Sequence, residues 1–242
     1  MLSSAFLTVV LAATALSHPT KRQVGSVITS CSVPRTAAIT FDDGPYIYSE
    51  QIIDILDANN AKATFFVNGC IYGDAEVQAI KSAYSKGHQI SSHTWAHKDL
   101  ATLSRNEVDT EFALVDKALE TILGVKTAFM RPPFGSYSDT VLQVAAAHNQ
   151  SVIIWDFDSG DSAGASAAQS NSQYDAFVAS RPNTILTLNH ETYESSATTV
   201  LPHAIEALQG AGYKLVTVAE CLGLPPYLSV GKAGTKDASW TC

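Results

Sequence analysis

From Thr36 onward, short β-branched apolar runs alternate with longer stretches in which apolar residues recur every three or four positions. The runs "AAITF", "ATFFV", "HQISSH", "TAFM", "SVIIW", "TILTL" and "YKLVT" predict strands, being short and rich in Ile, Val, Thr and Phe. Between them, "SEQIIDILDANN", "DAEVQAIKSAYSK", "SRNEVDTEFALVDKALETIL", "SDTVLQVAAAH" and "SATTVLPHAIEALQ" predict amphipathic helices. Ser104 followed three residues later by Glu107 has the capping-box spacing, and Gly124 stands where that helix should stop. Strands alternating with helices predict parallel βαβ units, as an open doubly wound sheet or a closed barrel, and about seven strands favour the barrel. The segment "SGDSAGASAAQSNSQ", from Ser159 to Gln173, interrupts the alternation. Its Ser/Ala/Gly composition predicts a loop, either the wall of a binding groove or a surface excursion.

The opening run "MLSSAFLTVVLAATALS" predicts a signal peptide over residues 1–17: it is apolar, closed by small residues and too short to span a bilayer. It has no basic residue at its start, and a buried N-terminal helix is the alternative reading. Lys21-Arg22 before Gln23 has the look of a dibasic processing site of secreted fungal proteins. The expected organisation is therefore a pro-segment over 18–22 and a single catalytic domain over 23–242.

Composition narrows the partners. An apolar fraction of 46% in 242 residues suits a globular core. A net charge of −8 without a run of Lys and Arg argues against nucleic acid or an anionic membrane and favours a neutral ligand. Four cysteines in a secreted chain predict two disulfides. Three connectivities are open, of which Cys31–Cys221 and Cys70–Cys242 is the expected one. The spacings do not match paired Cys-x-x-Cys zinc knuckles. "NQS" at Asn149 is a glycosylation acceptor pattern.

Candidate chemistry falls repeatedly just after predicted strands: Asp42 and Asp43, His93, Arg131, Asp158 and Asp161, and His190. In parallel α/β folds the C-terminal ends of strands form one rim, where ligands gather. Asp42-Asp43-Gly44-Pro45 alone reads equally as turn chemistry. At a cleft, however, neighbouring carboxylates can divide two tasks, one holding a cation and the other accepting protons. His93 and His97, four apart in "HTWAH", bring both imidazoles together from a helical turn or a tight loop. With one carboxylate they make a two-His-one-acid set that leaves positions open on a divalent ion. Zn²⁺ is the expected ion, with Co²⁺ or Ni²⁺ as substitutes.

In that order, "TFDDG", "HTWAH", "RPPFG", "DSGDS" and "LTLNH" resemble the five motifs of the polysaccharide deacetylases, carbohydrate esterase family four. The resemblance runs from roughly Thr36 to Gly223 and implies a distorted (β/α)₇ barrel. It implies that Asp43, His93 and His97 ligate the metal, that Asp42 is the general base, and that Arg131 pairs with Asp42. It further implies that His190 is the general acid, oriented by Asp161, and that the backbone N–H of Phe134 stabilises the oxyanion. Leu188 is expected against the acetyl methyl, with Trp95, Phe134 and Tyr137 as sugar-stacking candidates, although each of these also reads as packing. Ser162 departs from the pattern, since an aromatic residue usually follows the second aspartate of the fourth motif.

The implied activity is a secreted, metal-dependent removal of N-acetyl groups from chitin or its oligosaccharides. The alternatives are an acetylxylan esterase on the same site, or a peptidoglycan-type N-acetylglucosamine deacetylase. A non-catalytic carbohydrate-binding relative would need neither Asp42 nor His190. The expected molecule is an extracellular or cell-wall monomer without a membrane anchor.

Overall fold

A computed structural model describes residues 23–242. The expected signal peptide and pro-segment lie outside the described residues. The strands are β1 (Val27–Ile28), β2 (Thr36–Gly44), β3 (Ala63–Val67), β4 (Gln89–Ser92), β5 (Val125–Thr127), β6 (Phe129–Met130), β7 (Ser151–Ile153), β8 (Phe157–Asp158), β9 (Ile185–His190), β10 (Lys214–Leu215) and β11 (Tyr227–Val230). The helices are α1 (Ser49–Ala58), α2 (Asp74–Ser85), α3 (Arg105–Leu123), α4 (Asp139–Ala147), α5 (Ala167–Ala179), α6 (Leu201–Gly210) and α7 (Val218–Leu222).

Strands pair in the order β1-β7-β6-β4-β3-β2-β9-β8, all in parallel, and the sheet curls into the barrel-type α/β fold expected from the sequence. At Thr36 and Ala37, β10 takes the edge of β2 that β3 occupies from Ile39 onward. β11 pairs antiparallel with β5 outside this sheet.

Side-chain alternation along β2 divides its residues between two environments. Ala37, Ile39 and Phe41 join the outer core with Ile52, Ile53 and Leu56 of α1 and Ile205 and Leu208 of α6. Ala38 joins an inner cluster with Phe66 of β3, Leu186 of β9 and Val218 and Leu222 of α7. Both faces are covered, so the strand reads as a continuous apolar run. Each fully buried Ile, Leu or Phe contributes about 1.5–3 kcal/mol. Thr40 and Asp42 continue the inward row toward the C-terminal rim.

The capping box at Ser104 and Glu107 starts α3, and Gly124, at φ 77°, ends it in the left-handed conformation. A side chain at Gly124 would also collide with the backbone of Lys232. The disulfides are Cys31–Cys221 and Cys70–Cys242, the expected pairing.

Two local expectations need correction, and two short strands escape the pattern. Ser159–Gln173 is not one loop: α5 begins inside it at Ala167, capped by Ser166 with Gln169, and buries Ser170, Tyr174 and Val178 on one stripe. Small polar residues at four-residue spacing carry too little apolar contrast to signal that face. "YKLVT" yields only β10, because Thr217 leaves the strand to cap α7 through Glu220. β1 and β8, at two residues each, are too short to show a period.

The wall is not closed by ladder pairing everywhere. β7 and β8 are consecutive in sequence but far apart in the strand order, and Ile154–Asp156 crosses between them. Ile154 N–H donates to Ile28 O at 2.8 Å, on the β1 side. Asp156 N–H donates to Leu186 O at 3.0 Å, and its carboxylate accepts from Leu186 N–H at 2.7 Å.

Candidate active site

Asp42 and His190 are register partners on neighbouring strands β2 and β9. Two-residue alternation would send Asp43 to the opposite face from Asp42. Instead, the β2–β3 register slips between Asp42 and Gly44, and Asp43 takes φ 70°. This bulge re-aims Asp43, so that adjacent carboxylates both reach the rim. Asp43 Oδ1 accepts from Asn68 Nδ2 at 2.9 Å.

His93 follows β4, and the chain turns at once: Thr94 and His97 both have positive φ, 70° and 50°. The two imidazoles therefore meet from a tight loop, with ring centroids 5.1 Å apart. Asp43 Oδ1 lies 3.6 Å from His93 Nε2 and 3.2 Å from His97 Nε2. Nδ1 of His93 is 2.8 Å from the Arg131 carbonyl, which can only accept, so that nitrogen donates and Nε2 carries the lone pair. Burial lowers the pKa of His93, against the pull of Asp42 and Asp43, and so favours the neutral ring that a cation would need. Two imidazole nitrogens and a carboxylate oxygen, all within 4.8 Å of one another, fit a divalent cation.

Asp42 is buried, with its Oδ1 2.7 Å from Nη1 of Arg131. Arg131 is fully buried, also donates to Thr40 Oγ1 at 2.6 Å and to the carbonyls of Ile153 and Ile154, and lies 4.2 Å from the Phe66 ring. Across the site, Nδ1 of His190 donates to Asp161 Oδ1 at 2.8 Å. The other Asp161 oxygen accepts from His190 N–H and Ser196 Oγ, both at 2.7 Å. Burial alone would lower the His190 pKa, but the hydrogen bond and charge of Asp161, with Asp42 and Asp43 beyond, raise it. Burial would raise Asp161, and its hydrogen bonds with His190 and Ser196 outweigh that and lower it. Of the two acids in "DSGDS", it is Asp161 that contacts His190. Asp158 is exposed at the groove.

Asp42, Asp43, His93, His97 and His190 line a cavity of about 420 Å³. Phe134 forms its lip, 70% exposed at φ 60°, with its ring edge-on to His97. Leu188 lines it and is buried; Trp155, Asp158, Ser162 and Tyr193 complete the wall. Two sugar-stacking candidates are not part of it. Trp95 packs on Tyr72 and the outer core, and Tyr137 lies outside the lining residues. Sequence reasoning missed Trp155 and Tyr193. Trp155 closes the run "SVIIW", at a strand end where the other site residues also fall, which was a usable signal. Tyr193 sits in a turn without one.

Glu191 was also missed. Its carboxyl lies beneath Gly44, where a Cβ would fall 1.5 Å from Oε1, and it is hydrogen-bonded to Ser49 Oγ. Oε1 is buried without a hydrogen-bond partner, and burial pushes the pKa up to about 8. Gly44 is thus required by close approach of a side chain, in addition to turn chemistry.

Residues 29–153 match the family model for polysaccharide deacetylase. A chitin deacetylase of Pestalotiopsis sp is 34% identical over 233 residues, covering 92% of this chain and 77% of that one. A chitin deacetylase of Colletotrichum lindemuthianum is 32% identical over 239 residues, covering 93% of this chain and 96% of that one. The solved structure of the chitin deacetylase from Colletotrichum lindemuthianum superposes with TM-score 0.81 at 30% identity, covering 85% of this chain and 96% of that one. The match to the family model, the extent of these likenesses and the shared fold make this chain a member of the polysaccharide deacetylase family.

Proposed function

We propose that the protein is a metal-dependent hydrolase that removes N-acetyl groups from N-acetylglucosamine residues of chitin or its oligosaccharides, releasing acetate. The observation that carries this reading is the placement of Asp42 and His190 as register partners beside a three-donor cation site. The two relatives of about one-third identity named above as chitin deacetylases favour the amide substrate over acetylated xylan.

Asp43, His93 and His97 hold the cation, Zn²⁺ as the first choice with Co²⁺ as a substitute. Bound there, it supplies Lewis acidity that activates water and polarises the acetyl carbonyl. Asp42 accepts the proton of the attacking water, and Arg131 pairs with it and fixes its carboxylate in place. His190 donates from Nε2 to the departing amine, because an amine anion is too poor a leaving group to depart unprotonated. Asp161 holds Nδ1 and favours the charged imidazolium. The backbone N–H of Phe134 stabilises the developing oxyanion, and Leu188 receives the acetyl methyl. The rings of Phe134, Trp155 and Tyr193 offer faces for sugar rings.

The protein acts as a secreted monomer, as a single catalytic domain after removal of residues 1–22. Two disulfides and an exposed Asn149 suit an extracellular setting. Among the described residues no helix is long and apolar enough to cross a membrane.

The test is acetate release from chitin oligosaccharides and acetylated xylan in parallel, with Zn²⁺ or Co²⁺ supplied and Asp42→Asn as the blank. Release from the oligosaccharides that vanishes in the variant is the expected result. Release from xylan alone would move the activity to ester hydrolysis.

A further inference from the structure

Helix α3 carries a carboxylate on its core stripe. Val108, Phe112, Val115 and Leu119 of that stripe are apolar, yet Glu111 stands among them at 3% exposure. A buried carboxylate is costly unless charge or hydrogen bonds compensate it. Glu111 has three compensating partners, two of which lie in the loop that links the imidazoles. Its Oε2 accepts from Trp95 N–H at 3.0 Å and from Ala96 N–H at 2.6 Å. Its Oε1 lies 3.2 Å from Lys98 Nζ, just past His97.

Two successive backbone N–H groups converging on one oxygen, beside a residue of positive φ, form an anion-binding concavity whose anion is supplied by the protein itself. Residues of positive φ stand on both sides of the anchored pair, at Thr94 and His97. Without Glu111 those N–H groups would be left without their acceptor, and the backbone would be free to relax from two left-handed conformations that cost energy for residues with a side chain. Relaxation would carry His97 away from Asp43, while His93 would stay, fixed independently by the Arg131 carbonyl.

We infer that Glu111 is a positioning residue for the cation: from α3, it holds the 93–97 loop in the conformation that brings His97 to His93 and Asp43. The inference rests on the reading of those three as ligands. Supporting partners of this kind set metal affinity by about 10- to 100-fold.

The experiment is calorimetric titration of the metal-free protein with Zn²⁺ alone, with the absorption spectrum of the Co²⁺-loaded protein as a second readout. Glu111→Met keeps length and volume in the core but removes the acceptor, and should weaken binding about 10- to 100-fold and change the cobalt spectrum. Glu111→Gln keeps an acceptor oxygen and should restore affinity to within a few-fold of wild type, which a requirement for core volume alone would not distinguish from Met. If Glu111→Met does not fold, Glu111→Asp keeps the charge and withdraws the oxygen by one carbon, and should weaken binding in the same direction. Wild-type affinity and an unchanged cobalt spectrum in the folded Met or Asp variant overturn the inference. A wild-type protein that takes up no Zn²⁺ overturns the ligand reading instead.

Discussion

Nη1 of Arg131 lies 2.7 Å from Oδ1 of Asp42, and no part of the arginine reaches solvent. Asp42, the proposed base, is therefore also the counter-ion of a buried guanidinium. Removing one partner of a buried pair costs roughly 3–5 kcal/mol, since the other charge is left uncompensated. Asp42→Ala should lose that order of stability in urea unfolding. Asp42→Asn keeps an acceptor for the guanidinium and should lose markedly less, while its turnover falls about 10²- to 10⁴-fold. Equal stability of the Ala variant and wild type would remove the pairing from the account.

The raised pKa of His190 has a kinetic consequence. A general acid works in its protonated form, so turnover should decline as pH rises through a value above the ordinary 6.5 of histidine. Asp161→Asn removes the charge and weakens the hydrogen bond that raise it, and should shift this alkaline limb to lower pH. The pH profile of acetate release from a chitin oligosaccharide reads this directly. His190→Ala should depress amide turnover more than ester turnover, because the alkoxide of an ester departs with less help.

A second histidine couples pH to stability away from the site. His148, after α4, lies 2.9 Å from Asp116 and 3.0 Å from Asp109 of α3. The Asp116 hydrogen bond raises its pKa, burial opposes this, and Asp109 adds to the rise. A raised folded-state pKa contributes stability that is fully present below about 6.5 and lost as pH rises through the folded value. Thermal melts of wild type and His148→Gln should differ most at acidic pH and converge in alkali; a gap independent of pH would sink this linkage.

Glu191 has the same sign by a different cause. Burial lifts its carboxyl to about 8 from 4.5, so the native state keeps a proton that the unfolded chain gives up. Its effect on stability is absent below pH 4.5, and stability falls as pH rises toward 8. Glu191→Gln, measured by denaturant unfolding of the metal-free protein, should flatten that slope and gain on wild type above pH 7.

Much of the frame was legible because it depends on periodicity and order. The strand–helix alternation, the α3 caps at Ser104 and Gly124, and the repeated fall of charged residues after strands are all sequence-local signals. What was hidden depends on a single backbone angle or on a distant partner. The bulge that turns Asp43 toward Asp42 leaves no trace in "TFDDG", since alternation would separate the two. Glu111 lies in a helix whose pattern tolerates one polar residue, and its partners are 15 and 16 residues away. α5 escaped because Ser and Ala give it little amphipathic contrast. Trp95, between two histidines, reads as a sugar-stacking candidate or as packing, and of the two it is packing against Tyr72 that claims its ring.

In mechanical terms the barrel is a split cylinder. Ladders join each strand to the next from β1 round to β8, and those two strands are the open edges; Ile154–Asp156 spans the gap, held to β1 through Ile154 and Ile28 and to β9 through Asp156 and Leu186. Trp155 stands on that span and forms part of the groove. Asp42, Asp43, His93 and His97, by contrast, stand at the end of β2 and beyond β4, within the laddered arc. At Trp155 the wall is therefore held by these hydrogen bonds and by those of Arg131 to the Ile153 and Ile154 carbonyls rather than by a strand ladder. Asp161, which holds His190, follows β8 at the open edge, so the two halves of the site sit in different arcs of the sheet and are joined through the β2–β9 ladder at Asp42 and His190.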